Sequence, residues 1–200
     1  MLQLFWSSPE PTPMSPALRE ALETLAGTHR TVDPLTAAHC ERTGTIAAGI
    51  AETLGLGAAR VEYVRLVGRI HDVGKHWLSR EVLGKRAALT ADEYDLVESH
   101  CAFGHAAVKP LHPQLALAVL QHHERIDGSG YPGRLRGAAI LPEARIVAVA
   151  DVTDAMGSDR PYRRALPYEQ VRDKLQREAG VTLDGIAVEA CLDWLDRQPR

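Results

Sequence analysis

Cysteine is scarce and poorly placed for a framework. Cys40, Cys101 and Cys191 are an odd number, lie far apart and include no C-x-x-C pair. That disfavours both a disulfide scaffold and a thiolate zinc site, and it suits a reducing cytoplasm. Long hydrophobic runs are missing as well. No segment approaches the roughly 20 apolar residues a membrane span needs, and the opening MLQLFWSSPEPTPMSP has no basic region and only a short apolar stretch. The chain therefore reads as soluble and unprocessed, with no membrane association. Nor is there an excess of positive charge: 23 Lys and Arg against 26 Asp and Glu leave a net charge of -3. A bulk polycation seeking duplex nucleic acid is excluded, so any recognition of phosphate must be local. Strand-type alternation and internal repeats are also absent.

What is present is helical. The 200 residues, 45% apolar, suffice for one substantial core. Residues 1–15, rich in proline and serine, read as an extended lead-in, and 16–200 as one domain. Asp33 and Pro34 are an N-cap and first-turn pair. Beyond them Leu35, His39, Ile46, Ile50 and Leu54 recur at helical spacing until Gly55 and Gly57. A second helix over 58–72 ends in His71 and Asp72, with Gly74 expected as a left-handed cap. Thr90 to Glu93 is a capping box for a third helix that carries His100 to about Val108. Pro113 opens a fourth, ending at His122 and His123. Pro142 starts ARIVAVADVTDAM, in which Asp151 and Asp154 share a face. Two further helices fall at 167–179 and 184–196. The expected architecture is all-α, a bundle of about six to eight helices.

This reading turns His39, His71, Asp72, His100, His122, His123 and Asp151 inward or places them at helix ends. One histidine on an apolar face is usually a satisfied core residue. Five together are not, because each buried imidazole needs partners for both ring nitrogens. Imidazole and carboxylate without thiolate suit iron, manganese, zinc or nickel, and a carboxylate can bridge two ions. Two metals about 3.5–4 Å apart activate water and clamp an in-line displacement at phosphorus. The constellation points to a phosphohydrolase.

HDVGK at 71–75, HHERIDGSGYP at 122–132 and ARIVAVADVTDAMGSDRPYRRAL at 144–166 resemble the HD-GYP family, a branch of the HD-domain metal-dependent phosphohydrolases. The resemblance covers roughly 33–190 and implies a single HD-domain-like helical bundle with a GYP loop. It implies hydrolysis of cyclic di-GMP, first to linear pGpG and in many members on to GMP. By motif position the metal ligands are the same seven residues, with Asp72 bridging two divalent ions, iron or manganese favoured over zinc or nickel. Lys75 would neutralise charge at the scissile phosphate, although a lysine there also complements a helix C-terminus. Tyr131 would border a guanine, or simply pack in a tight turn. Arg160 and Arg163 would hold substrate phosphates, where a solvated charge run is the alternative. Asp154 either orients a ligand histidine or pairs with Arg160 or Arg163.

The sequence departs from the family in places. Leu35 stands where members with a third metal carry a glutamate, so two metals are expected, and neither Asp33 nor Glu41 replaces that ligand. HWLSR and KRAAL stand where the family has IGIPD-like and K-P-G stretches, so that His76 and Trp77 either reshape the pocket mouth or are an ordinary aromatic packing under a loop. Cys40 and Cys101 follow His39 and His100 directly and read as buried apolar thiols, while His29, His105 and His112 carry no assigned role. Alternative readings are a phosphodiesterase for another cyclic dinucleotide such as cyclic GMP-AMP, or a low-activity module that binds the dinucleotide or a partner. The partner would be a diguanylate cyclase domain or a separate sensor protein.

Overall fold

The computed structural model describes residues 11, 14–85, 87–159 and 163–198, with only the backbone of 29–32. Most of the 1–15 lead-in and Arg160 therefore lie outside the described residues, as does the side chain of His29.

Helix α1 (Pro16–Val32) precedes α2 (Pro34–Thr53), whose start is set as the sequence suggests. The Asp33 carboxylate accepts from Leu35 N at 3.0 Å and from the Thr36 hydroxyl. Gly55 ends the run in the left-handed region, φ 71°, where a side chain would be strained. Helix α2 is the central element, packing on α1, on α3 (Ala58–Ile70), on α8 (Pro142–Gly157) and on α10 (Gly185–Asp196). Ile50 of α2, Val64, Val67 and Ile70 of α3, and Ile146, Val147 and Val149 of α8 are fully buried. Each such aliphatic side chain contributes about 1.5–3 kcal/mol by leaving water. Where α2 crosses α3 the backbones nearly touch: a Cβ on Gly68 would lie 2.7 Å from Gly44 Cα. Only glycine permits that approach, and it brings His39 of α2 toward the end of α3.

Two local expectations are corrected. Gly74 is not a left-handed cap. It lies inside a 3-10 helix, Val73–Trp77, against the next element, where a Cβ would fall 1.8 Å from the His100 carbonyl oxygen. The third helix is not continuous either. The Thr90–Glu93 capping box is present, but the run divides into α5 (Ala91–Glu98) and α6 (His100–Val108) at Ser99. Ser99 Oγ donates to Leu96 O at 2.5 Å and the His100 Nδ1 bonds Val97 O at 2.6 Å. Side chains that bond preceding carbonyls compete with the backbone ladder. With that break, with α1 and with the single-turn α4 (Arg80–Leu83), the described residues form ten α-helical segments rather than six to eight.

Helix α7 (Pro113–Gln121) ends just before His122, and α9 (Tyr168–Glu178) leads to α10. Among the described residues there is no named strand, only the isolated bridges Asp127 with Arg136 and Ala179 with Leu183. No described helix is long and apolar enough to cross a membrane.

Candidate metal centre

The seven residues drawn from inward helix faces and helix ends converge. His39 comes from α2 and Asp151 from α8; His71 and Asp72 lie at the junction of α3 and the 3-10 helix; His100 opens α6; His122 and His123 follow α7. Asp72 lies between two pairs of imidazoles. Its Oδ2 is 3.3 Å from His71 Nε2 and 3.9 Å from His39 Nε2. Its Oδ1 is 3.4 Å from His100 Nε2 and 3.9 Å from His122 Nε2. Asp151 spans the same gap from the other side, with Oδ1 3.1 Å from His39 Nε2 and Oδ2 3.8 Å from His123 Nδ1. The donor atoms of Asp72, His100, His122 and His123 form one group within 4.8 Å of one another, and those of His39, His71 and Asp151 form another.

Local backbone chemistry aims these rings. His71, His100 and His122 each bond through Nδ1 to the carbonyl three residues earlier, Gly68 at 2.7 Å, Val97 at 2.6 Å and Val119 at 2.6 Å. A carbonyl only accepts, so Nδ1 carries a proton and Nε2 is the nitrogen turned inward. His39 is held differently, its Nδ1 2.7 Å from Asp154 Oδ2.

The electrostatics follow from burial and crowding. Burial opposes charge on Asp72, yet Lys75 and His71 hold this carboxyl well below its ordinary range. Burial likewise opposes charge on Asp151, but the hydrogen bond from His39 and the charges of His71 and His123 keep it well below. Burial would depress His71, and the Asp72 carboxylate overrides it, leaving the imidazole well above its usual value. His122 is pushed well down by burial and by His123 and His71. Burial takes His123 down to about 3.

These donors fit metal ions. His71 Nε2 and Asp72 Oδ1 are buried and have no hydrogen-bond partner, a state that normally costs about 1–3 kcal/mol per group. His100 Nε2 and His122 Nε2 lie 3.3 Å apart with both Nδ1 positions already bonded, so two lone pairs confront each other. Divalent cations relieve both problems, and nitrogen and carboxylate donors suit first-row transition ions.

Around the seven lie the other candidates. Lys75 Nζ is 2.5 Å from Asp72 Oδ2, and Asp72 raises the ammonium's pKa against the opposing effect of burial. Asp154 bonds His39 and not Arg163; its carboxylate also accepts from Arg42 Nε at 2.6 Å, Arg42 Nη2 at 3.1 Å and Ser158 Oγ at 2.9 Å. Tyr131 packs its ring 4.7 Å from that of His123, tilted 40°, and edge-on to His100 at 6.4 Å. Arg163 donates to the carbonyls of Ala155 and Met156, at the end of α8. Leu35 is 58% exposed in the first turn of α2 and offers no donor atom. Asp33 is taken up by capping, and Glu41 by Arg69 at 2.8 Å. Cys40 and Cys101 are buried, and burial raises both thiols. His112 caps α7, accepting from Leu115 N at 3.1 Å.

Two residues escaped sequence reasoning. Arg42 is one turn beyond His39, but its partner Asp154 is 112 positions away, so spacing carried no signal. Glu124, directly after the histidine pair, is buried and accepts from Gly133 N at 2.6 Å and Leu135 N at 2.9 Å. It clips the GYP loop down, and an acid so placed in HHE was the available hint. A separate cavity of about 610 Å³ is lined by Ile126, Arg145, Asp184, Ile186 and Leu192 among others, and by none of the seven donors.

A sequence model described as the HD domain matches residues 14–186. The chain belongs to the HD-domain family. The HDVGK and HHERIDGSGYP motifs that resemble the HD-GYP branch lie within the matched HD-domain region. The chain is similar to the cyclic di-GMP phosphodiesterase response regulator RpfG of Xanthomonas campestris, 39% identical over 87% of this chain and 47% of that protein. It spans about half the length of the curated relatives it matches. Its HD-domain fold is shared with an HDG"Y"P protein from Bdellovibrio bacteriovorus, TM-score 0.67 at 17% identity over 98% of this chain and 68% of that one. A cyclic GMP-AMP specific phosphodiesterase of Vibrio cholerae superposes with TM-score 0.61 at 26% identity, covering 94% of this chain and 43% of the other.

Proposed function

We propose that this chain is a phosphodiesterase that opens cyclic di-GMP to pGpG. Its centre would hold two divalent metal ions on His39, His71, Asp72, His100, His122, His123 and Asp151. The observation that carries this reading is Asp72, buried with its two oxygens turned toward two separate pairs of imidazole nitrogens. That is the disposition of a bridging carboxylate. Iron or manganese matches the nitrogen and oxygen donor set, and Leu35 leaves no ligand for a third ion. Two ions bound there acidify water and offset charge on phosphoryl oxygens.

The chain's own groups do the rest. Lys75, kept protonated beside Asp72, supplies positive charge at the centre's edge, where a transferring phosphoryl group gathers negative charge. Asp154 fixes the His39 ring. Glu124 holds the loop that lays Tyr131 over His123, which closes one side of the centre. Arg160 and Arg163 remain proposed phosphate contacts, Arg163 by leaving the α8 carbonyls it now caps.

The test is metal content per chain by elemental analysis, with chromatographic assay of cyclic di-GMP cleavage beside a His71→Ala, Asp72→Ala double variant. About two ions per chain, and turnover abolished in the variant, are expected. Ions without turnover of cyclic di-GMP would sink the substrate assignment. Faster cleavage of cyclic GMP-AMP, the substrate named for the Vibrio cholerae relative, would transfer it to that dinucleotide.

A further inference from the structure

Aromatic residues are only 5% of the chain, yet two exposed ones closely follow residues of the centre in the chain, Trp77 after Lys75 and Phe103 after His100. Trp77 is 57% exposed and Phe103 is 39% exposed. Their ring centroids are 6.4 Å apart with planes inclined by 32°, close enough to form one continuous aromatic surface. Both are anchored near the chemistry by the backbone. Trp77 ends the 3-10 helix that carries Lys75, so it stands about 4 Å further along that axis at roughly 2 Å per residue. Phe103 is three residues past His100 on α6, about 4.5 Å along the helix. The 3-10 helix and α6 approach closely where Gly74 lies against the His100 carbonyl, and the Trp77 and Phe103 rings meet across the same pair of elements.

Tyr131, another aromatic at the site, is half-buried and already packed on His123 and His100, so its face is largely taken. The exposed aromatic surface nearest Lys75 along the chain is that of Trp77.

We propose that Trp77 and Phe103 form an aromatic step that stacks a purine base of the substrate whose phosphate is held at Lys75 and the metal centre. This rests on the phosphodiesterase reading and adds to it a residue that determines binding. A cation and a flat π surface two residues apart in the chain match the two chemistries of a nucleotide, its phosphate and its base. Stacking on an indole is effective for any base and strongest for purines, because it depends on overlap of π faces rather than on a hydrogen-bond pattern. A partner protein docking on these rings would need apolar surface but no nearby cation and no flat ring.

The experiment compares steady-state cyclic di-GMP hydrolysis by the metal-loaded full chain with that of Trp77→Ala, Trp77→Leu, Trp77→Phe and Phe103→Ala. Removing the indole is expected to raise KM about tenfold, in line with the loss of one base stack, with kcat nearly kept. Trp77→Phe should recover most of the loss and Trp77→Leu little, since leucine restores apolar bulk without a π face. Phe103→Ala should raise KM by a smaller factor. A Leu variant equal to wild type, or an unchanged KM in Trp77→Ala, overturns the aromatic step while leaving the phosphodiesterase reading intact. Failure of the wild type to cleave any purine cyclic dinucleotide overturns the phosphodiesterase reading, and the step with it.

Discussion

At the scale of single residues, the centre depends on side chains that never touch a metal. His39 cannot present its Nε2 unless its other nitrogen is fixed, and Asp154 does this from a buried position, itself gripped by Arg42 and Ser158. Asp154→Asn keeps the shape but must turn an amide NH2 toward either the imidazole or the guanidinium, both donors. Metal affinity should fall about 10- to 100-fold, the usual effect of losing a carboxylate behind a ligand histidine. Calorimetric titration of the metal-free variant with Mn²⁺ would show it. Unchanged affinity would mean that Asp154 serves only its ion pair with Arg42.

At the scale of elements, the helix ends carry most of the design. Donors sit at the end of α3, the start of α6 and the end of α7, where backbone carbonyls of the last turn are available to hold Nδ1. The N-terminus of α10 shows the same economy without a metal. Asp184 accepts from Ile186 N at 3.0 Å and Ala187 N at 3.1 Å, and it also pairs with the buried Arg145 at 2.7 Å. Asp184→Ala removes a cap and takes one charge-assisted hydrogen bond from Arg145, so it should cost about 2–4 kcal/mol. Urea denaturation of the two proteins would measure the difference, and a loss under about 1 kcal/mol would show that Arg145 finds other compensation.

At the scale of the whole molecule, one centre ties α2, α3, α6, α7 and α8 together, so metal binding and folding are linked. Ligand present at 100 times its dissociation constant adds about 2.7 kcal/mol to stability, and a domain of this size gains about 2–4 °C per kcal/mol. Loading with Mn²⁺ should therefore raise the thermal midpoint by about 5–10 °C over the chelated protein. Scanning calorimetry in chelator and in Mn²⁺ would read this shift. Identical midpoints would contradict a site that joins five helices.

The positions of α2, α7 and α8, their proline starts and the Asp33 cap were legible in the chain because capping and helical periodicity are local properties. That these seven side chains gather in one place was legible too, since several imidazoles on inward helical positions are conspicuous in any helical pattern. The break at Ser99 and the 3-10 turn after Asp72 were not, because side-chain bonds to carbonyls and a close approach to α6 decide them. Arg42 with Asp154, and Glu124 with the GYP loop, lay equally out of sight. Sequence by itself determined which groups could bind a cation and on which helices they ride. Only the tertiary structure decided which oxygen of Asp72 faces which pair of imidazoles, and which aromatic rings stand exposed to solvent, because contacts between residues far apart in the chain depend on how the helices pack.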